Sequence, residues 1–150
     1  MNERAGTIYI HDGEKLDNPG PMTQRVIAYD KRMREILPNA KTPDDWAPIA
    51  EFIDTETFQR VGCFLERQDW QDYTQMLSQW SSATKEFNTK LLHVTECGNM
   101  VFYEVQETHH RDNGSGAVDV VNSMTAFTFS EAGKIVALRV YLQTSAPLNL

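Results

Sequence analysis

The sequence has few cysteines, an excess of acid over base and no long apolar run, and each shortage excludes a class of protein. Cys63 and Cys97 are the only cysteines in 150 residues. Two are too few for a disulfide framework, so both are expected to be reduced thiols. The net charge of -7 makes an acidic surface that repels phosphate backbones, so no nucleic acid is expected as a partner. No apolar stretch approaches the roughly 20 residues that span a bilayer, so no membrane is expected either.

The N-terminus Met1-Asn2-Glu3-Arg4 also lacks the basic region and apolar core of a secretory signal, which favours a cytoplasmic location. Hydrophobic residues make up 41% and charged residues 23%, as in ordinary soluble globular chains. A length of 150 residues suits one domain with one core. We expect residues 22–145 to form that domain and 146–150 a tail. Residues 1–21 are expected to form a leader that is loosely held or packs on a neighbouring subunit, with an edge strand at 7–10.

Three segments in the C-terminal third carry the pattern of antiparallel strands. Residues 100–111 and 117–129 alternate between apolar and polar side chains, and residues 135–144 are rich in branched and aromatic ones. Clusters of Gly, Asn, Asp and Ser at 112–116 and 130–134 separate them. With a further strand that begins near Phe87, these segments predict a long antiparallel meander.

The N-terminal half instead shows helical spacing in three segments. Residues 22–37 place their apolar side chains on one face. A second helix is expected over 44–53, although Pro48 lies inside it, and Asp69 is expected to cap a third over 70–82. A strand at 57–65 lies between the second and third. This order predicts an α+β fold, a cone-like curved antiparallel sheet with three helices packed on its concave face.

The end of the chain carries a more specific pattern. Residues 127–135 place an aromatic strand before a Glu-Ala-Gly-Lys-Ile turn, and Leu138-Arg139-Val140-Tyr141 follows; Cys97-Gly98-Asn99-Met100-Val101 enters the central strand. Together these segments resemble the nuclear transport factor 2-like superfamily, the fold of ketosteroid isomerase, limonene epoxide hydrolase and the SnoaL-like polyketide cyclases. The resemblance covers roughly residues 22 to 145 and implies the cone-shaped fold. It implies little about function, because this fold serves many chemistries and some proteins with none.

The family's catalytic patterns are matched only in part. Tyr29 stands where ketosteroid isomerases have the tyrosine of their first helix, but Gln59 and Thr125 replace their catalytic base and oxyanion-binding acid. The Arg-x-Asp strand of limonene epoxide hydrolases corresponds to Val105-Gln106-Glu107, and Val140 replaces their second aspartate. Neither set of catalytic residues is complete.

The central strand offers one candidate catalytic pair. Val101, Tyr103 and Val105 share an apolar face, and continuing it two residues at a time reaches Glu107 and then His109. A carboxyl group buried among aromatics has a raised pKa, so Glu107 would act as general base, or as orienting partner, with His109 as acid. The alternative is that the strand has reached solvent by residue 107 and both are surface residues. A register slip of one residue would put Glu104 inside instead.

Further residues are expected around the same interior. Tyr29 would donate a hydrogen bond to a developing oxyanion, or else be an ordinary core tyrosine. Gln59 and Thr125 would orient a substrate as neutral hydrogen-bonding groups. The apolar wall of the pocket is expected to include Trp46, Trp80, Tyr103, Phe127 and Val140.

These features predict an enzyme that performs cofactor-independent acid–base chemistry on a small apolar molecule. Isomerisation, dehydration or cyclisation of a polyketide, steroid or terpenoid would suit such a site, and neither metal nor nucleotide is implied. A ligand-binding or assembly module with the same cone and no catalysis is the main alternative, and a subunit of a larger complex is a third. A homodimer through the outer face of the sheet is expected, because Met124 and Tyr141 lie there among polar residues.

Overall fold

In the computed structural model, which describes residues 6–10, 19–112 and 114–144, two α-helices and a 3₁₀ helix cover one face of a seven-stranded sheet. In chain order the elements are β1 (Gly6–Ile10), α1 (Pro21–Ile36), the 3₁₀ helix (Pro43–Phe52), β2 (Gln59–Val61), β3 (Arg67–Gln68), α2 (Trp70–Ala83), β4 (Thr84–Cys97), β5 (Met100–Arg111), β6 (Val118–Phe129) and β7 (Ile135–Thr144). The fold is α+β, as predicted from the order of its elements.

The sheet has the strand order β1-β4-β5-β6-β7-β2-β3, and its centre is the predicted meander of β4 to β7. Each turn of the meander has a glycine at positive φ, for example Gly98 (+62°) between β4 and β5 and Gly133 (+78°) between β6 and β7. Other residues rarely adopt this conformation. The pairing shifts register twice along β4 and once between β6 and β7. Such bulges bend strands, so they help the long sheet curve around the helices.

Two predicted elements differ from those observed. The strand expected over 57–65 contains only the three residues of β2, and the chain then turns back into β3. Moreover, β2 runs parallel to β7, so the sheet is mixed rather than purely antiparallel. The second helix is a 3₁₀ helix, with Pro43 in its first turn and Pro48 inside it. Pro48 has no N–H to donate, which disfavours a regular α-helix over this segment.

The helices begin at recognisable caps. The Asp69 carboxylate accepts a hydrogen bond from the backbone N–H of Asp72 at 2.8 Å and caps α2. At the 3₁₀ helix, the Asp45 carboxylate accepts the backbone N–H groups of Lys41 and Thr42, each at 2.9 Å. These hydrogen bonds favour the ionised carboxyl group and lower the pKa of Asp45.

One core joins the helices to the inner face of the sheet. Its largest fully buried apolar side chains come from both layers, namely Val26, Leu37, Trp46, Ile49, Val94, Val101 and Ile135. Each such burial contributes roughly 1.5–3 kcal/mol to folding. The core fills the closed part of the cone and leaves space between α1, α2 and the strands that curve over them.

The leader and the two cysteines can be compared with their predictions in part. The edge strand expected at 7–10 is β1, which pairs antiparallel with β4. Residues 1–5, 11–18 and 145–150 lie outside the described residues, so the packing of the leader and tail stays a prediction. Cys63 and Cys97 are both exposed free thiols. Within the described chain, no helix has the length and apolar character to cross a membrane.

Candidate functional site

A cavity of about 900 Å³ lies between α1, α2 and the inner face of the sheet. Most of its wall is aliphatic or aromatic. The apolar lining side chains include Met33, Met76, Leu77, Trp80, Phe87, Val105, Val121, Phe127, Leu138, Val140 and Leu142. Polar side chains also line the cavity, and the charged ones among them are Asp30, Arg60, Glu107, Arg111, Asp112 and Asp119. A mostly apolar surface with polar groups at defined positions is the usual composition of a site for small molecules.

The central strand β5 presents Tyr103, Val105, Glu107 and His109 to the cavity. These are the side chains that the alternation of the sequence predicts on the inward face of the strand, with Glu104 on the opposite face. Oε1 of Glu107 lies 3.4 Å from Nε2 of His109, and each side chain is 19% exposed. The pair is therefore in the wall of the cavity rather than out in solvent.

Aromatic side chains hold the imidazole in place. The rings of Phe87 and His109 are stacked, with centroids 5.8 Å apart and planes at 16°. Trp80 meets the imidazole edge-on at 5.9 Å. An imidazole fixed in this way can pass a proton to or from Glu107 without a large side-chain movement.

The hydroxyl groups of Tyr29 on α1 and Tyr73 on α2 hydrogen-bond each other in the same cavity. Both phenols are buried, and burial raises the pKa of each, so both stay protonated at neutral pH. Two hydroxyls carry two protons, and their mutual hydrogen bond uses one. Whichever oxygen donates, the pair keeps a second proton for a ligand, and a hydroxyl that also accepts a hydrogen bond is a stronger donor.

Asp30, which the sequence analysis did not single out, lies beside Tyr29 at the cavity. Its Oδ2 accepts the hydroxyls of Tyr103 at 2.6 Å and Thr89 at 2.7 Å, and its Oδ1 accepts Nε of Arg34 at 3.3 Å. Burial, and then the charge of Asp30, raise the pKa of the Tyr103 phenol. This network joins α1 to β4 and β5 and fixes the wall next to the tyrosine pair.

Gln59 is not in the cavity, which corrects its prediction as a substrate-binding residue. It is exposed, and its Oε1 accepts Nη1 of Arg67 at 2.9 Å. In the parallel pairing, Arg60 lies beside Leu138, whose side chain faces inward, while Gln59 lies beside Ala137. Alternate residues of a strand point to opposite faces, so Arg60 lines the cavity in place of Gln59.

Trp46 is also outside the cavity. It is fully buried in the core and packs behind Trp80, with ring centroids 6.4 Å apart. The predicted wall residues that do line the cavity are Trp80, Tyr103, Thr125, Phe127 and Val140. A sequence pattern that places a side chain inward cannot tell the packed core from the surface of a cavity within it.

Polar residues surround the mouth, where β5 ends and β6 begins. Nε of Arg111 donates to Oδ2 of Asp119 at 2.6 Å, and this hydrogen bond and charge lower the pKa of Asp119. Across the residues that the structure describes, no three His, Cys, Asp or Glu side chains form a group able to hold a metal ion.

The sequence matches no family model and no curated protein. Solved structures do match. A protein of Jannaschia sp. CCS1, assigned as a SnoaL-like polyketide cyclase, has a TM-score of 0.62 and 16% identity over 88% of this chain and 99% of its own. Another with that assignment, from Shewanella denitrificans OS-217, has a TM-score of 0.69 and 10% identity over 83% of this chain and 92% of its own. The chain has the nuclear transport factor 2-like fold.

A third structure with this fold is TerC, co-crystallized with polyporic acid. Its TM-score is 0.63, with 10% identity over 83% of this chain and 92% of its own. Identities this low establish the nuclear transport factor 2-like fold alone. The chemistry has to be argued from the residues in the cavity.

Proposed function

We propose that the protein is an enzyme that uses cofactor-independent acid–base chemistry on a small, largely apolar molecule. The observation that carries the proposal is the Glu107–His109 pair, 3.4 Å apart in the wall of an apolar cavity. The reaction class is proton transfer at carbon, as in an isomerisation, dehydration or cyclisation. The assignment of structural neighbours as SnoaL-like polyketide cyclases supports this class.

In the proposed mechanism, Glu107 removes a proton from a carbon next to a carbonyl group. The electron pair of the broken C–H bond moves to the carbonyl oxygen, which becomes an oxyanion. The hydroxyl of the Tyr29–Tyr73 pair whose proton is not used in their mutual hydrogen bond donates a hydrogen bond to that oxyanion. This donor is held in place before the reaction begins. The carbonyl group then re-forms, and the electron pair of the oxyanion moves through the conjugated system to a second carbon. His109 relays the proton held by Glu107 to that carbon, where the pair forms the new C–H bond, and Glu107 is restored as the base.

Hydrogen–deuterium exchange tests this proposal without knowledge of the natural substrate. The probe is 2-tetralone in D₂O, an apolar ketone with acidic C–H bonds that fits a cavity of about 900 Å³. We expect the wild type to accelerate exchange beside the carbonyl, and Glu107→Gln to lower that rate by about 100-fold or more. NMR of the probe measures both rates.

Glu104→Gln is the matched control. Glu104 lies on the same strand as Glu107 but pairs with Met124 on the outer face of the sheet, so its substitution should leave the rate unchanged. Exchange at the buffer rate with the wild type, or an equal rate with Glu107→Gln, would contradict the proposal.

The second candidate is a ligand-binding module without catalysis. It is favoured by the Asp30 network, in which the cavity's most buried carboxylate is already bonded to Tyr103, Thr89 and Arg34 and is not free to act as a base. Quenching of the tryptophan fluorescence on binding of 2-tetralone, lost in Trp80→Phe, with no exchange of the probe's protons would favour this candidate.

A further inference from the structure

Arg60 on β2 places a positive charge in the wall of the cavity. Its side chain is 14% exposed, and its guanidinium lies over the ring of Tyr73, with Cζ 5.8 Å from the ring centroid. Nη1 donates to Oε1 of Gln68 at 2.9 Å and lies 3.5 Å from Oε1 of Glu66. Within the described chain Nε and Nη2 of Arg60 make no hydrogen bond. The N–H groups on this edge of the guanidinium can therefore donate to a ligand.

The carboxylates of the cavity do not neutralise this charge. Asp30 is bonded to Arg34, Glu107 lies beside His109, Asp119 at the mouth is bonded to Arg111, and Asp112 is exposed just beyond the end of β5. The partner of Arg60 is Glu66, which is 40% exposed, lies outside the lining, and also accepts the backbone N–H of Phe64. A weak pair at 3.5 Å with an exposed carboxylate leaves most of the attraction of Arg60 for an anion unsatisfied.

Arg60 and Glu107 both act on the phenol of Tyr73. After burial and the hydrogen bond from Tyr29, the positive charge of Arg60 lowers the pKa of Tyr73 and the negative charge of Glu107 raises it. Both charged groups are therefore within electrostatic range of one hydroxyl, yet they form no ion pair with each other. Both side chains line the same cavity.

We propose that Arg60 binds a carboxylate of the substrate, so that the cavity takes an apolar carboxylic acid with its reactive C–H bond toward Glu107. A guanidinium shielded from water binds a carboxylate through two parallel N–H···O bonds, which fix orientation as well as affinity. This inference rests on the proposed function, because it names the class of substrate for the same site.

The test compares two probes that share an apolar body, 2-naphthoate and its neutral methyl ester. Calorimetry at pH 7 measures the Kd of each for the wild type, Arg60→Met and Arg67→Met. The wild type should bind the acid about 10- to 100-fold more tightly than the ester, as expected for a hydrogen-bonded charge pair. Arg60→Met should reduce that ratio to about one and leave the Kd of the ester within about twofold.

Arg67→Met is the control, because Arg67 lies in the adjacent strand but bonds to Gln59 on the outer face. It should keep the wild-type ratio. Arg60→Lys retains the positive charge but lacks the two parallel N–H donors of a guanidinium. It should keep part of the preference for the acid over the ester. The ratio of the two Kd values does not change when a substitution merely loosens the cavity, since both probes are then affected alike.

A wild-type ratio near one, a full preference retained in Arg60→Met, or no measurable binding of either probe would overturn the inference. These outcomes are independent of catalysis. A clear preference for the acid that depends on Arg60, without proton exchange on 2-tetralone, would retain the carboxylate site and reject only the proposed reaction.

Discussion

Asp30 shows how one residue organises the wall beside the proposed site. Its carboxylate is 10% exposed and accepts three hydrogen bonds, from Tyr103, Thr89 and Arg34. A buried carboxylate is stable only when it is paired and hydrogen-bonded in this way. Removal of its charge should therefore cost stability.

We predict that Asp30→Asn lowers the free energy of unfolding by about 1–3 kcal/mol. In either orientation, the amide places an NH₂ group against Arg34 or against the hydroxyls of Tyr103 and Thr89, and so loses acceptors. Urea unfolding at pH 7 measures the change. Glu35→Gln on the same helix is the control, because Glu35 forms only an exposed pair with Lys31 at 3.9 Å. Equal effects of the two substitutions would reject a special role for Asp30.

The sequence predicted some site residues and missed others, because local spacing shows which way a side chain points but not which distant residue it meets. Helical spacing over residues 22–37 placed Tyr29 inward, whereas Tyr73 was not predicted as a site residue. The bond between their hydroxyls joins residues 44 positions apart, and no local pattern encodes it. Asp30 was missed because it follows Tyr29 at the edge of the apolar face. Its spacing of four residues from Arg34 was the available local signal.

At the scale of elements, α2 carries Tyr73, Leu77 and Trp80 to the cavity, so the cap that starts this helix also positions the wall. We predict that Asp69→Ala destabilises the protein by about 1 kcal/mol, since the N–H of Asp72 loses its acceptor. Thermal unfolding measures this loss. Asp69→Ser, which retains a capping oxygen, should recover most of it, and a Ser variant as unstable as the Ala variant would contradict the capping role.

Two strands show which elements were predictable. In β5 the alternation runs over twelve residues, and continuing its apolar face predicted Glu107 and His109 on the inner side, with an exposed strand end and a one-residue slip as the alternatives. In contrast, β2 has three residues, too few for a period. Its facing is set by pairing with β7, almost 80 residues later, and this pairing turned Arg60 inward where Gln59 had been expected.

At the scale of the whole molecule, the cavity results from the curved sheet and the helices together, and the resemblance to a known fold predicted it better than any pattern of residues. Its mouth, its volume and the network around Asp30 depend on contacts between elements that are distant in sequence. The homodimer stays a prediction. It is consistent with the pairing of Met124 with Tyr141 and with the exposure of Tyr141.

The three cavity tyrosines also make the stability of the whole protein depend on pH. Burial raises the pKa of Tyr29, Tyr73 and Tyr103 in the folded protein, whereas in the unfolded chain each titrates near 10. The contribution of these protonated phenols to the free energy of unfolding is therefore fully present below about pH 10. Above it the unfolded state loses protons that the folded state keeps, so the free energy of unfolding should fall by about 1.4 kcal/mol per pH unit for each tyrosine.

Urea unfolding at several values between pH 9 and 11 tests this dependence, with tyrosinate absorbance as a second signal. We expect the buried phenols to ionise only as the protein unfolds. Tyr103→Phe should lower the free energy of unfolding at every pH. It should also make that free energy fall less steeply with pH, because one of the three buried phenols is then absent. Tyr141→Phe should leave the slope unchanged, because Tyr141 is 56% exposed. A slope that is the same in the wild type and Tyr103→Phe would mean that the Tyr103 phenol ionises while the protein is still folded, which its burial and the adjacent charge of Asp30 oppose.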